Sequence, residues 1–366
     1  MIHTYTARIN VCSDFYSQFL SHLSTKLYKE RSQAHQTAKN GLLSEIGITL
    51  YGHKYNVTYD RITSTGATEQ ISYINYVIDA RVNPSKVIYR ESAIDIYKPS
   101  DYSLFQDRFN QEIKSFNLPF LPDLDGWKAH RIDFTYNIHT PYVKDYIRLF
   151  HKADLRGFEL KRDQHGHRSM KSGSLYINNS AVTLNFYDKA DEMTKAEGGT
   201  RHTPEEILEA KDILRIEVQA GRDKLSGIKR KQEFTSKQIT EFMQQPEAAE
   251  DLVIGYVYKV LGGSTYRKKP ATITLINKSK KHQKTKEQLI AVINEVSQPY
   301  RRVDEVRAAH PELEIDKAKK ILRSMDVNLV TLDKNTKVKE LPSIPSLLLD
   351  AIVQIPAHLT THSAKS

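Results

Sequence analysis

Four short segments of this chain alternate between mainly apolar and mainly polar residues. Successive side chains on a strand point to opposite faces, so each segment reads as a two-faced strand. In HRIDFTYNIH, Ile132, Phe134, Tyr136 and Ile138 are opposed by Arg131, Asp133, Thr135 and Asn137. In ILRIEVQA, Leu214, Ile216 and Val218 are opposed by Arg215, Glu217 and Gln219. VTLNFYDK sets Val182, Leu184 and Phe186 against Thr183, Asn185, Tyr187 and Lys189. INYVIDAR sets Ile74, Tyr76, Ile78 and Ala80 against Asn75, Val77, Asp79 and Arg81. A chain of this pattern must bury one face of a sheet, and every strand offers an acid or a tyrosine to the other face.

Helical periodicity separates these strands. An opening strand, a helix and a polar loop are followed by strands over residues 46–90, which turn at Ser64-Thr65-Gly66. Helices are expected near residues 101–116, 141–152 and 203–210, the last begun by Thr203-Pro204-Glu205-Glu206. Asn178-Asn179-Ser180 suits a tight hairpin turn. The fold class expected is α+β, a mainly antiparallel sheet with flanking helices. Past Arg222 the chain turns helical and charged, and TKEQLIAVINEVSQ and DKAKKILRSMDVNLVTL read as two helices of a winged-helix type of module. Three consecutive regions result: residues 1–225, a basic segment at 226–286, and a helical module with its tail at 287–366.

Charge narrows the choice of partner. The chain carries 54 Lys and Arg against 44 Asp and Glu, and nine of those cations, with no acid among them, fall between Lys259 and Lys286. Such a run attracts a polyanion by counterion release, or else is simply a solvated loop. Arg267, Lys268, Lys269, Lys280 and Lys281 are its candidate DNA contacts. Cys12 is the single cysteine, which excludes an internal disulfide framework and a cysteine zinc site. No apolar run reaches the roughly 18 residues of a membrane span, and MIHTYTARINVCSDF lacks a signal core, so a cytoplasmic protein is expected.

If the four strands share a sheet, Asp79, Asp133 and Glu217 converge beside Tyr187 and Lys189. Clustered carboxylates repel unless a cation lies between them, and hard oxygen ligands favour Mg²⁺ or Mn²⁺. The competing reading is a wet sheet face with scattered charges. Most of the 20 tyrosines are packing residues. Tyr187 differs by parity, lying on the polar side, with Lys189 two residues on. His165-Gly166-His167, the one His-x-His, sits in the polar run KRDQHGHRSMKSG and reads as a loop, not a metal pair.

RIDFTYNI at 131–138, LNFYDKADEM at 184–193, LRIEVQAGRDKL at 214–225 and ARVNPSKVI at 80–88 together resemble the rolling-circle replication initiators of filamentous phages and related plasmids. The resemblance implies a nickase-type catalytic domain of the HUH class. It implies Tyr187 as nucleophile in its Y-x-K context, and Asp133 and Glu217, joined by Asp79, as ligands of Mg²⁺ or Mn²⁺. Lys189 and Arg215 would stabilise charge on the phosphate, with Arg131 on the DNA. The expected partners are single-stranded or supercoiled origin DNA, a host helicase and polymerase, and a second copy in a homodimer. A conjugative relaxase shares the chemistry, and a non-catalytic origin-binding or copy-control protein would use the basic segment alone.

Overall fold

The computed structural model describes residues 1–30, 41–44, 46–89, 94–160, 173–195, 202–299 and 301–353. The chain forms two compact units: Met1–Phe134 with Gln219–Ala249, and Thr135–Val218 with the chain from Glu250 onward. These units do not follow the three consecutive regions expected from composition, because residues 219–249 return to the N-terminal unit. There Ala129 N donates to the Lys237 carbonyl at 2.7 Å and Ile239 N to that of Trp127 at 3.0 Å.

In the first unit β1 (Ile2–Val11), β2 (Gly41–Leu43), β3 (Ile48–Ile62), β4 (Thr68–Val82) and the first half of β5 (Lys128–His139) take the order β2-β3-β4-β1-β5. All four pairings are antiparallel. The turn between β3 and β4 closes as expected, with Gly66 at φ +79°. The left-handed conformation costs glycine nothing. Tyr5, Ala7, Ile48, Leu50, Ile78, Ala80, Ile132 and Phe134 are buried. So are Tyr16 and Phe19 of the helix Ser13–Glu30, and Phe105, Phe109 and Ile113 of the helix Tyr102–Ser115. The first of these helices lies so close that a Cβ at Gly52 would stand 2.9 Å from the Phe19 ring.

The second unit holds the rest of β5 with β6 (Glu159–Leu160), β7 (Ser174–Asn178), β8 (Val182–Asp188) and most of β9 (Ile213–Gly221), in the order β5-β9-β8-β7-β6. The β7–β8 hairpin turns where expected, and the Asn179 side chain accepts from the backbone N–H of Ala181 and Val182, both at 2.9 Å. The helix Pro204–Glu209 begins with the capping box that its sequence announces: Thr203 and Glu206 satisfy each other's backbone N–H groups. The C-terminal part contains helices Lys269–Lys278, Gln283–Val296, Val303–Ala309, Ile315–Arg323 and Ile344–Val353, with a short antiparallel ribbon of β10 (Tyr266–Arg267) and β11 (Glu340–Leu341).

The polar faces are not wet. Asp79, Asp133, Thr135, Arg215 and Glu217 are all buried, so the solvated-face reading fails for the strand centres. No helix among the described residues is long and apolar enough to cross a membrane.

Candidate functional site

Within the second unit the sheet brings Tyr187 and Glu217 together. Tyr187 ends β8 one residue before the strand stops, and its hydroxyl donates to Glu217 Oε1 at 2.6 Å. Each residue is only 6 % exposed, so the polar side on which parity sets Tyr187 is closed to solvent here. Burial raises the phenol pKa well above its ordinary value, and the Glu217 carboxylate raises it further, while Arg215 pulls the other way. A buried phenol already hydrogen-bonded to a carboxylate has a proton acceptor in place.

Arg215 is fully buried, and its Nε donates to Asn137 Oδ1 at 2.8 Å. Lys189 does not extend the strand. It opens the helix Lys189–Lys195, so strand parity fails for this residue, and its ammonium pairs with Glu192 at 2.7 Å. Burial lowers the Lys189 pKa, and the charge of Arg215 lowers it further, which places Lys189, Arg215 and Glu217 in one electrostatic neighbourhood.

In the first unit Asp79 and Asp133 each have an arginine of their own. Arg8 forks onto Asp79, with Nε to Oδ1 at 2.6 Å and Nη2 to Oδ2 at 2.8 Å, and His53 stands 3.6 Å from the same carboxylate. Arg131 forks onto Asp133 in the same way, at 2.8 and 2.7 Å. Burial nevertheless leaves the Asp133 pKa raised, against the pull of Arg131 and Arg81. The two acids share a face but not a position: Asp79 lies opposite Arg8 of β1 and Asp133 opposite Thr4. Four residues along β1 and two strand spacings across it put them roughly 16 Å apart. Arg8 was missed by sequence reasoning, although Thr4, Thr6 and Arg8 alternate against Tyr5, Ala7 and Ile9 in a pattern that would have found it.

Among the described residues no three His, Cys, Asp or Glu side chains gather so as to hold a metal ion. Mg²⁺ is commonly bound by one or two carboxylates, with substrate phosphate and water completing its shell. Asp79, Asp133 and Glu217, the three acids offered as ligands by sequence, do not form such a group among the described residues. His165, Gly166 and His167 lie outside the described residues.

The basic segment is ordered, not a loop. Its cations run from Lys259 in the helix Pro246–Leu261 through β10 and the helix Lys269–Lys278, and by a turn into the helix Gln283–Val296. Lys280 and Lys281 sit exposed in that turn. Arg267 is committed elsewhere: it pairs with Asp326 at 3.4 Å and Glu340 at 3.2 Å, and donates to the Asp326 carbonyl. Lys268 donates to the Lys334 carbonyl at 3.3 Å, and Lys269 opens the helix that follows.

A family model described as replication-associated protein G2p, N-terminal, matches residues 44–239, which include β3, β4, β5, β8 and β9. No curated protein and no solved structure gives a match.

Proposed function

The chain belongs to a phage rolling-circle replication-initiator family, and from that premise we propose that it starts replication by nicking one strand of its origin DNA with Tyr187 as nucleophile. The observation that carries this reading is the 2.6 Å hydrogen bond from Tyr187 to Glu217, made between two strands that both bear family motifs. The phenol oxygen attacks the phosphorus, its proton passes to Glu217, and the bond from phosphorus to the 3′ oxygen breaks. The departing 3′ oxygen takes a proton from water and leaves as the 3′ hydroxyl, and the 5′ phosphate stays on Tyr187. Attack by a 3′ hydroxyl reverses these steps and rejoins the ends, so no nucleotide cofactor is required.

Negative charge grows on the phosphate oxygens during attack, and Arg215 and Lys189 are the cations of the same neighbourhood that would offset it. A bound Mg²⁺ or Mn²⁺, for which Glu217 and Asp133 are the ligands offered by motif, would supply further charge stabilisation. Origin DNA would be held by Arg131 and by the exposed lysines of the C-terminal helical pair, which would act in winged-helix fashion beside an HUH-type catalytic domain. The proposal places the protein in the cytoplasm with a host helicase and polymerase, as a monomer or homodimer.

Incubating the protein with single-stranded origin-bearing DNA and Mn²⁺ or Mg²⁺, then running a denaturing gel, tests the reading. A nick with label retained on the protein through the 5′ phosphate is expected. DNA binding without any covalent product would leave a non-catalytic origin binder instead.

A further inference from the structure

β3 and β4 pair residue for residue from Ile48↔Val82 to Ile62↔Thr68, but β2 meets only residues 49–51 of β3, and β1 meets only residues 76–82 of β4. Beyond these the two strands form a ribbon with no further strand on either edge among the described residues. Partners across a ladder share a face, so the register sorts the ribbon's side chains. Tyr51 lies opposite Asp79, Tyr55 opposite Asn75, Val57 opposite Tyr73 and Tyr59 opposite Ile71. The face that carries Asp79 therefore continues outward as a row of tyrosines at 55, 73 and 59. Tyr55, Tyr59 and Tyr73 are 38 %, 48 % and 49 % exposed.

An arm of this kind buries little apolar surface of its own, so exposed aromatic rings on it are surface available to a partner. We propose that this tyrosine face is a stacking platform for single-stranded DNA. Tyr59 and Tyr73 meet edge to face with ring centroids 6.2 Å apart. That is nearly twice the ~3.4 Å rise of a base-paired strand, so bases reading this row must be unstacked, as those of a single strand can be. Charge at the inner end fits the same occupant. Arg8 donates to the Tyr55 hydroxyl at 3.0 Å and lies opposite Lys128 across the β1–β5 pairing. Arg222, Lys229 and Lys128 stand near enough to Lys237 to lower its pKa, after burial as the largest cause. Cations beside stacked rings are what a backbone polyanion and its bases require together. The inference rests on the DNA-processing reading above and adds to it a binding surface outside its catalytic residues.

The test uses the full chain and compares a deoxythymidine oligonucleotide with a duplex. Tyr59→Ala/Tyr73→Ala should weaken single-strand binding by about tenfold or more, leave its salt slope unchanged because no phosphate contact is lost, and leave duplex binding alone. Tyr59→Phe/Tyr73→Phe should restore single-strand binding, since the ring stacks and the hydroxyl does not. The proposal is overturned if the alanine pair binds the oligonucleotide as wild type does, if duplex binding falls equally, or if the change is in self-association by sedimentation. Loss of oligonucleotide binding by a protein that never forms a covalent adduct would overturn the nicking reading and leave this one standing.

Discussion

The Tyr187 hydroxyl donates to Glu217 Oε1 at 2.6 Å in a place where both residues are buried, so one bond serves the fold and, in the proposed reaction, the proton transfer. Tyr187→Phe removes a hydrogen bond to a charged acceptor and leaves that acceptor short of a donor. The expected cost is about 1.5–3 kcal/mol of stability, larger than a surface substitution would give. The variant should still fold and bind DNA, and should neither nick nor become covalently labelled. Denaturant unfolding measures the first effect and a labelled-DNA gel the second. Covalent labelling of the variant would show that another tyrosine attacks.

The same bond sets how nicking should respond to pH. Folding raises the phenol pKa, so Tyr187 contributes stability below about pH 10, and that contribution is lost as pH rises through the folded value. Little free phenolate exists at neutral pH, and the proton must pass to Glu217 during attack. The wild-type rate should therefore be nearly flat from about pH 7 to 9, because Tyr187 stays protonated across that range. Glu217→Gln should reduce nicking by about 10²–10⁴-fold. Its residual rate should climb with pH, because the phenol must then ionise to solvent. A wild-type rate that rises tenfold per pH unit would remove Glu217 as acceptor.

In the second unit, Asp154 lies among Arg156, Arg307 and Lys319, at 3.1, 2.9 and 3.4 Å. Burial pushes its pKa up, but the hydrogen bonds from Arg307 and Arg156 and the charge of Lys319 outweigh burial and hold it well below the usual carboxylate range. A depressed folded pKa gives stability that is present above the unfolded value and lost as pH falls towards the folded one. Acid should therefore weaken this unit progressively below about pH 4. Asp154→Asn should cost about 2–3 kcal/mol, less than a fully dry pair because the cations are open to water. Thermal melts at neutral pH and near pH 3 would show a gap that narrows in acid, and a gap of equal size at both would contradict the assignment.

Strand parity was readable because alternation survives whatever the sheet packs against. It found β4, β5, β8 and β9 and put Asp79, Asp133, Glu217 and Tyr187 off the apolar face. It could not tell a buried polar face from a wet one, since both are written with the same residues, and so the wet-face reading stayed open beside Tyr187. Parity also says nothing about which strands are neighbours. β1 lies between β4 and β5, and that insertion supplies Arg8 to Asp79 and sets Asp79 four residues along β1 from Asp133. Lys189 was misread because Tyr-Asp-Lys continues the alternation on paper, while the backbone has already turned into a helix.

Within the basic segment the structure separates cations that the sequence could only count. Lys280 and Lys281 are exposed in the turn between two helices, and Arg267 is held by Asp326 and Glu340 with only 17 % of its side chain exposed. A free lysine that touches a phosphate releases counterions on binding, so each one neutralised should lower the slope of log K against log salt by about 0.7–0.9. Lys280→Gln/Lys281→Gln should therefore weaken DNA binding, flatten the salt dependence by about 1.4–1.8, and leave the melting temperature nearly unchanged. Arg267→Gln should do the reverse. It removes the cation from Glu340 of β11 and from Asp326, which keeps its bonds from Thr265, at a cost of about 1 kcal/mol for a partly exposed network, with little change in the salt slope. Anisotropy titrations at several salt concentrations, paired with melting curves, distinguish the two classes. An Arg267 variant that lowers the slope as a lysine variant does would return this arginine to the DNA interface, and a lysine pair that leaves the slope unchanged would take the turn out of it.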